Sequence, residues 1–317
     1  MRSSQLPIEA KQLTKRYGAQ RGVTGLTFSV EPGEVFGFLG PNGAGKTTTI
    51  RQLLGLIRPT SGSVHVFGYD CWSESKQTKA SIGYLPGDIH LYENLTGQEF
   101  LAFFAAFRSA AVEERRVAEL AQRLEIDLRR KIKHLSKGNR QKIGIIQALM
   151  HGAPLLILDE PSSGLDPLKQ VDFIELLREE KERGTTILLS SHALVEVERI
   201  ADRVAIVREG ELVAVEQMSA IRRLQERRLA LRLREPAPAL PERVRALDGV
   251  SVVSVDPSGL NVELAVRGAV QPLLRLLAEL PVDDFTFGPA DLESVFLHYY
   301  GAAPDAAPEP ALKGAVV

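Results

Sequence analysis

A glycine-rich segment that contains one lysine has the residue types and the spacing of a phosphate-binding loop. Residues 40–47 fit the pattern G-x-x-x-x-G-K-S/T. Glycines in such a loop let backbone N–H groups turn inward around a phosphate, the lysine bridges phosphate oxygens, and the final hydroxyl reaches Mg²⁺. The segment therefore predicts a nucleotide site that holds Mg²⁺ through Thr47, and its nucleotide-binding residues are Asn42, Gly43, Ala44, Gly45, Lys46, Thr47 and Thr48.

Two adjacent carboxylates, Asp159 and Glu160, follow an apolar run at residues 155–158. If that run is a strand, they lie at the edge of a sheet where open α/β folds bind ligands. Asp159 is then expected to hold Mg²⁺ through water, and Glu160 to polarise the water that attacks the γ-phosphate. An Asp-Glu pair alone is common on protein surfaces, but together with the loop it predicts hydrolysis of a nucleoside triphosphate.

The apolar runs around these residues indicate the elements that must position them. Residues 35–39 predict a buried strand that leads into the glycine-rich turn, and a helix is expected to start near Gly45. Further along, apolar runs alternate with helical spacing, with strands at 155–158, 185–190 and 203–208 and helices at 171–183 and up to residue 201. This alternation predicts a parallel sheet covered by helices, which is an α/β fold.

Two other patterns belong to the same part of the chain. Short alternating runs from Ile8 to about Val35, broken by glycine and proline turns, predict a small antiparallel sheet. Between about Leu95 and His151 apolar residues recur every three or four positions, which predicts an all-helical insert. We therefore expect residues 1–217 to form a nucleotide-binding domain with a helical subdomain at about 88–151.

The composition changes after Met218. Residues 222–228 are charged and residues 236–241 are proline-rich, as is typical of linkers, and two strands at 250–255 and 260–266 and a helix at 270–280 are predicted beyond them. This pattern predicts a small α+β C-terminal domain at residues 218–302, with an accessory or regulatory role. The alanine- and proline-rich end at 303–317 is expected to be disordered.

Charge and hydrophobicity exclude several classes of protein. The chain has 317 residues, of which 44% are hydrophobic, and a formal net charge of −1. That charge balance gives no argument for nucleic acid as a partner. The single cysteine, Cys71, cannot form an internal disulfide and fits a reducing compartment. No window reaches the roughly 20 apolar residues of a membrane-spanning helix and the N-terminus lacks a signal peptide, so we expect a cytoplasmic protein whose membrane role is exerted through a partner.

Further segments resemble the motifs of ABC transporter ATPases. Residues 135–142, Leu-Ser-Lys-Gly-Asn-Arg-Gln-Lys, resemble the signature motif, and residues 162–166, Ser-Ser-Gly-Leu-Asp, resemble the D-loop. His192 ends a predicted strand, like the family's switch histidine, and Tyr17 stands where the family has the aromatic that stacks on adenine. Together with the phosphate loop and the two carboxylates, these motifs follow the family's order along the chain.

The resemblance implies a P-loop ABC ATPase core, with a mixed sheet, an antiparallel β subdomain and a helical subdomain. It implies ATP and Mg²⁺ as cofactors and a head-to-tail dimer, in which the signature motif of one copy completes the site around the phosphate loop of the other. The second copy is an identical chain or a paralogous ATPase, and the further partner is a membrane permease, which places the chain at the cytoplasmic face of the cell membrane. The additional site residues that it implies are Tyr17, Ser136, Gly138, Asn139 and Asp166 for nucleotide binding, and His192 for catalysis beside Glu160.

Three positions depart from the family pattern. Lys137 stands where the signature usually has glycine, and Asn139 stands where it usually has glutamine, which predicts weaker or slower hydrolysis. The family's Q-loop glutamine falls at Gly87, and the neighbouring Asp88 is one residue out of register, so no catalytic role is assigned there. Residues 89–95 are a candidate docking site for a short helix of the permease; ordinary packing of their apolar side chains is the alternative.

Three kinds of ABC protein stay open: an exporter subunit, a soluble translation or repair ATPase, and an importer subunit. The single cassette and the lack of a metal-binding or coiled-coil insert disfavour the soluble kinds. Residues 290–297 resemble the LE-x-x-FL tail of bacterial drug- and antibiotic-export ATPases of the daunorubicin-resistance type, although Leu292, Val295 and Phe296 would also fit the buried face of a last helix. The resemblance favours export.

Overall fold

A computed structural model of the chain describes residues 5–18, 20–107, 112–224, 227–267 and 269–288. The chain divides into two compact units between Gln217 and Met218. The elements of the first unit are β1 (Ile8–Tyr17), β2 (Gln20–Val30), β3 (Val35–Leu39), α1 (Lys46–Leu53), β4 (Ser61–Val66), β5 (Tyr69–Asp70), α2 (Ser75–Ala80), β6 (Ile82–Leu85), α3 (Gly97–Ala105), α4 (Glu114–Arg123), a 3₁₀ turn (Ile132–His134), α5 (Lys137–Leu149), β7 (Leu155–Asp159), α6 (Pro167–Glu182), β8 (Thr186–Ser191), α7 (Leu194–Ile200), β9 (Arg203–Arg208) and β10 (Glu211–Gln217).

A six-stranded sheet in the order β10-β9-β3-β8-β7-β6 forms the centre of this unit. Five of these strands, β9, β3, β8, β7 and β6, pair parallel with one another in that order. The sixth, β10, pairs antiparallel with β9 at one edge. Every residue of β3, β7 and β8 is buried, which explains why their sequences are apolar without alternation. Because these parallel strands end at one edge of the sheet, the residues that follow them are brought together there.

A second, antiparallel sheet in the order β2-β1-β4-β5 packs beside the first. Phe28 of β2 stacks on Phe36 of β3 with ring centroids 5.7 Å apart, and it lies 5.5 Å from the ring of Phe38. All three rings belong to one buried apolar cluster that both sheets share. This packing holds the β1–β2 hairpin against the strand that leads into the phosphate loop.

The segment predicted to be helical contains α3, α4, α5 and the 3₁₀ turn. Thr96 caps α3 through a capping box, in which its side chain accepts a hydrogen bond from the Glu99 backbone and the Glu99 carboxylate accepts from the Thr96 backbone. Ser136 caps α5 by accepting from the backbone N–H of Asn139 at 3.3 Å. These caps explain where two of the three helices begin.

The second unit contains α8 (Met218–Leu224), β11 (Arg227–Leu233), α9 (Leu240–Arg245), β12 (Val250–Val255), β13 (Asn261–Val266), α10 (Gln271–Ala278) and β14 (Val282–Phe287). From β11 onwards the order is β-α-β-β-α-β, and the antiparallel sheet has the strand order β12-β13-β11-β14. This is the ferredoxin-like arrangement. Its core consists of leucines and valines from the sheet and from α9 and α10.

The predicted α/β core with its antiparallel and helical parts, and the α+β C-terminal part, are confirmed. Several shorter elements were missed, namely β4, β5, α2, β6, β10, α9 and β14. The interpretation of residues 222–228 as a linker was wrong, because α8 extends to Leu224 and β11 begins at Arg227. No helix in the described ranges is long and apolar enough to cross a bilayer. Residues 289–317, which include the predicted tail motif and the predicted disordered end, lie outside the described residues.

Candidate nucleotide-binding site

The glycine-rich loop connects the end of β3 to the start of α1, as predicted. Gly45 caps α1 with a φ of 100°, and Gly43 has a φ of 83°, both in the left-handed region that glycine adopts without strain. A Cβ atom at Gly45 would lie 2.5 Å from Cγ1 of Val23, so a side chain does not fit there. The loop therefore exposes backbone N–H groups at a helix N-terminus, which is an arrangement that binds phosphate.

Lys46 is the first residue of α1, and its side chain is buried. Its ammonium donates a hydrogen bond to the carbonyl oxygen of Gly40 at 2.7 Å and lies 3.2 Å from Oε1 of Glu160. That Glu160 oxygen is buried and accepts no hydrogen bond within the described part of the chain. The ammonium and this carboxylate oxygen thus form an ion pair beside the loop, where one can bind phosphate and the other can hold a water.

Thr47 and Asp159 provide two neighbouring oxygens at the same edge of the sheet. The Thr47 hydroxyl donates to Oδ2 of Asp159 at 2.9 Å, and the Ser190 hydroxyl donates to Oδ1 of the same carboxylate. Asp159 is almost fully buried. A hydroxyl and a carboxylate are oxygen ligands of the kind that Mg²⁺ binds together with phosphate and water, so this pair fits the predicted metal role.

Glu160 follows β7 in a left-handed conformation, with a φ of 48°. Its backbone N–H donates to the carbonyl of Ser190 at 3.0 Å, which holds this turn against β8. Its Oε2 lies 2.7 Å from Nδ1 of His192. The His192 side chain is 58% exposed, so most of the imidazole stays accessible while the carboxylate fixes one of its nitrogens.

Tyr84 lies in β6, which pairs with β7, the strand that ends at Asp159. Burial, followed by the negative charge of Asp159, raises the pKa of Tyr84 to about 12. The phenol therefore stays neutral at physiological pH.

The single cysteine, Cys71, is buried, and burial raises the pKa of its thiol to about 12. The thiol is therefore unreactive, which is consistent with a structural role.

Tyr17 lies at the end of β1 and its side chain is half exposed. A Cβ atom at Gly22 would approach the Tyr17 ring to 3.0 Å, and the carbonyl of Gly22 lies 3.1 Å from the position of a Cβ at Gly45. Gly22 therefore permits close packing on both sides. Tyr17 is held next to the phosphate loop through this residue, with an accessible ring.

The signature-like segment assembles with the D-loop-like segment. A Cβ atom at Gly138 would lie 2.7 Å from the carbonyl of Gly164, and the aliphatic stem of Lys137 covers Gly164. Lys137 is thus accommodated without loss of the Ser136 cap of α5. Asp166 caps α6 by accepting from the backbone N–H of Lys169 at 3.0 Å. Among the hydrogen bonds and salt bridges of the described ranges, none joins Ser136 or Asn139 to the phosphate loop.

The departure at Gly87 places backbone, and not a side chain, beside the carboxylate of Asp159. A Cβ atom there would lie 3.3 Å from the carbonyl oxygen of Asp159 and 3.5 Å from its Oδ2. The side chain of Asp88 is 90% exposed and lies 3.6 Å from Nε2 of His90. The Asp88 side chain therefore lies in solvent, and no role in the site is assigned to it.

Two residues of the site were not found by sequence analysis. Ser190 orients Asp159 through its hydroxyl, and Gly22 permits the approach of the β1–β2 hairpin to the loop. The pair Ser190 and Ser191 ends a buried apolar strand, and polar residues at such a position were a usable signal. Gly22 carried no signal, because it lies within an ordinary alternating run.

Comparison with known proteins gives the family. Residues 23–163 match the model of the family described as "ABC transporter". The chain is 35% identical over 301 residues to the bacitracin transport ATP-binding protein BcrA of Bacillus licheniformis, and the match covers 93% of this chain and 97% of that protein. The chain belongs to the ABC transporter family. It is an ATP-binding subunit, and its reaction is ATP hydrolysis.

Other relatives of this ABC subunit agree. It is 34% identical to the linearmycin resistance ATP-binding protein LnrL of Bacillus subtilis, over 86% of this chain and 89% of that protein. Among solved structures, an ATP-binding subunit of an ABC transporter is 34% identical and superposes with a TM-score of 0.63, covering 68% of this chain and 92% of the other. The predicted resemblance to the antibiotic-export type is thereby confirmed.

Proposed function

We propose that this chain binds Mg-ATP between two nucleotide-binding domains and uses its hydrolysis to energise export through a separate permease at the cytoplasmic face of the membrane. The observation that carries the proposal is the connected set formed by Lys46, Glu160 and His192, next to the oxygen pair of Thr47 and Asp159. It combines a phosphate-binding cation, a base and a metal-binding pair at one edge of the sheet.

Each group of this set has a role in phosphoryl transfer to water. Lys46 binds the β- and γ-phosphates as a point charge, and Glu160 accepts the proton of the attacking water. His192 contacts the γ-phosphate with the part of its ring that Glu160 does not occupy. Thr47 and Asp159 hold Mg²⁺, which neutralises charge on the phosphate oxygens when bound.

The position of Ser136 supports the proposal that a second nucleotide-binding domain takes part in the site. This serine begins the 13-residue helix α5, whose N-terminus favours anions, and it lies beside the D-loop. Since its hydroxyl in the described ranges accepts from Asn139 of α5 and no hydrogen bond joins it to the phosphate loop of its own chain, we assign the nucleotide that it binds to a second copy. Asn139 and Gly138 lie in the same first turn of α5. Gly164 of the D-loop packs on Gly138, and Asp166 lies two residues after Gly164.

We expect Ser136→Ala to abolish ATP-dependent dimerisation and to lower the ATPase rate at least about 10-fold. The matched control is Thr96→Ala, because both residues cap a helix through a hydroxyl and each loses about 1 kcal/mol of stability with its cap. Gel filtration with light scattering, in a Glu160→Gln background with and without ATP, measures the dimer. Equal dimerisation by the two variants would contradict the assignment of Ser136.

The docking site for the permease is the groove beside residues 89–95. It has a volume of about 780 Å³ and is lined by the segment that follows α1 and by α2, β6, α3 and α5. Large apolar side chains remain accessible at and around it, with Phe107 72%, Tyr92 55% and Leu56 54% exposed.

Tyr92 belongs to an aromatic cluster, in which its ring centroid lies 6.0 Å from that of Phe100 and 5.8 Å from that of Phe103. Internal packing and partner binding therefore use the same aromatic cluster. Lys76 and Lys79 of α2 also line the groove.

A short amphipathic helix fits this groove, with its apolar face on the phenylalanines. We expect Phe107→Asp to reduce copurification of the permease from detergent-solubilised membranes at least about 10-fold, without a change in the ATPase rate of the isolated chain. Val253→Asp is the matched control, because Val253 is also apolar and exposed but belongs to the second unit. Undiminished copurification with Phe107→Asp would remove the groove from the proposal.

The direction of transport is inferred from the relatives. The similar ATP-binding proteins are named for bacitracin transport, for linearmycin resistance and, in a Burkholderia orbicola protein 33% identical to this chain, for Nod factor export. Copurification of a genomic neighbour with several membrane-spanning segments, followed by ATP-driven efflux from vesicles that contain both chains, tests export. Uptake driven by ATP would favour the importer alternative, and an ATPase without any membrane partner would favour a soluble one.

A further inference from the structure

Glu196, in the first turn of α7, connects two separate segments of the site. The hydroxyl of Ser162 donates to its Oε1, and the hydroxyl of Ser191 donates to its Oε2 at 2.8 Å. Both serines are buried, and Glu196 itself is partly buried. Within the ranges that the structure describes, the Glu196 carboxylate forms no salt bridge. Its interactions are therefore directed at these two hydroxyls.

The two serines belong to the segments that carry the catalytic candidates. Ser162 lies two residues after Glu160, and Ser191 immediately precedes His192. The Ser191 hydroxyl also accepts a hydrogen bond from the backbone N–H of Ala193 at 2.9 Å. This bond joins the two residues that flank His192. One carboxylate thus connects the turn after β7 to the turn after β8.

We infer that Glu196 is a positioning residue that sets the distance between Glu160 and His192 through Ser162 and Ser191. In the described ranges its carboxylate hydrogen-bonds to these serines and not to Glu160 or His192, so its effect is indirect. The inference rests on the proposed function, because it requires both candidates to act on the same phosphate. Catalytic groups must be held within about half an ångström of their productive geometry, and supporting hydrogen bonds provide that precision.

A purely structural role is the competing explanation. A carboxylate in the first turn of a helix interacts favourably with the helix dipole, and that interaction contributes to stability alone. The two explanations differ in the kinetic constants that they affect. Loss of positioning lowers kcat at unchanged ATP binding, whereas loss of stability lowers the melting temperature and the amount of active protein.

The test uses three variants of the full chain. We expect Glu196→Ala to lower kcat about 10-fold or more, with KM for ATP within about 3-fold of the wild type, because misplacement by about 1 Å costs up to 10²-fold. Glu196→Gln should restore the rate to within about 3-fold, since serine hydroxyls can rotate to pair with an amide. Glu182→Ala, on the exposed end of α6, is the matched control and should behave as the wild type.

A double-mutant cycle with Ser191→Ala tests the route of the effect. If Glu196 acts through this serine, Glu196→Ala lowers kcat much less in the Ser191→Ala background than in the wild type. Additive losses, a kcat of Glu196→Ala within 2-fold of the wild type, or a loss that parallels a lower melting temperature and weaker ATP binding would each overturn the inference. A wild-type chain without ATPase activity would instead overturn the proposed function.

Discussion

Replacement of Glu160 by glutamine is expected to lower the ATPase rate about 10²- to 10⁴-fold, which is the usual contribution of a positioned general base. The amide keeps the size of the carboxylate and its oxygen can still accept a hydrogen bond from Nδ1 of His192, which lies 2.7 Å from Glu160. It cannot accept a proton from water. ATP binding is therefore retained, and a closed, ATP-loaded dimer accumulates.

Single-turnover hydrolysis and light scattering in the presence of ATP measure the two parts of this result. The matched control is Glu209→Gln, because Glu209 has a similar left-handed φ of 51°, compared with 48° at Glu160, but its exposed carboxylate pairs with Arg208. The control keeps the wild-type rate. Turnover of Glu160→Gln within a few-fold of the wild type would show that another group accepts the proton.

Replacement of Lys46 by methionine is expected to weaken ATP binding about 10- to 100-fold, because a hydrogen bond to a charged group contributes about 1.5 to 3 kcal/mol. Methionine fills the space of the buried stem and removes the ammonium. The substitution removes the positive charge that we expect to bind phosphate. It also removes the ammonium that lies 3.2 Å from Oε1 of Glu160. Hydrolysis falls with binding, since the β- and γ-phosphates are no longer held by this residue.

Isothermal titration calorimetry with ATP measures the affinity of the variant. Lys169→Met is the matched control, because Lys169 is also largely buried and forms ion pairs, with Glu125 and Asp172, outside the phosphate loop. Its affinity for ATP stays that of the wild type. Wild-type affinity of Lys46→Met would exclude the loop as the phosphate-binding element.

The phosphate loop and the carboxylate pair were predictable because their determinants are local. The strand that ends at Leu39, the glycines, and the helix that starts at Lys46 are contiguous, and the same holds for β7 with Asp159 and Glu160. The roles assigned to the individual residues stay predictions, which the variants above test.

Other features depend on residues that are distant in sequence. Whether Ser190 reaches Asp159 depends on the pairing of β7 with β8, in which these two residues are partners. The short elements between α1 and α3 were missed because their strands are stabilised by neighbours. For example, β6 pairs with β7 some 70 residues later, and local propensity does not report such a pairing.

The sequence by itself determined the phosphate loop, the two carboxylates, the alternation of apolar runs and hence the α/β class and the family. Only the tertiary structure decided that Glu196 connects the segments of Glu160 and His192, that Lys137 lies over Gly164, and that the aromatic cluster opens onto a groove. The physical reason is that a loop motif fixes its own backbone, whereas distances between loops are set by strand order and register, which arise from hydrogen bonds and packing between distant parts of the chain.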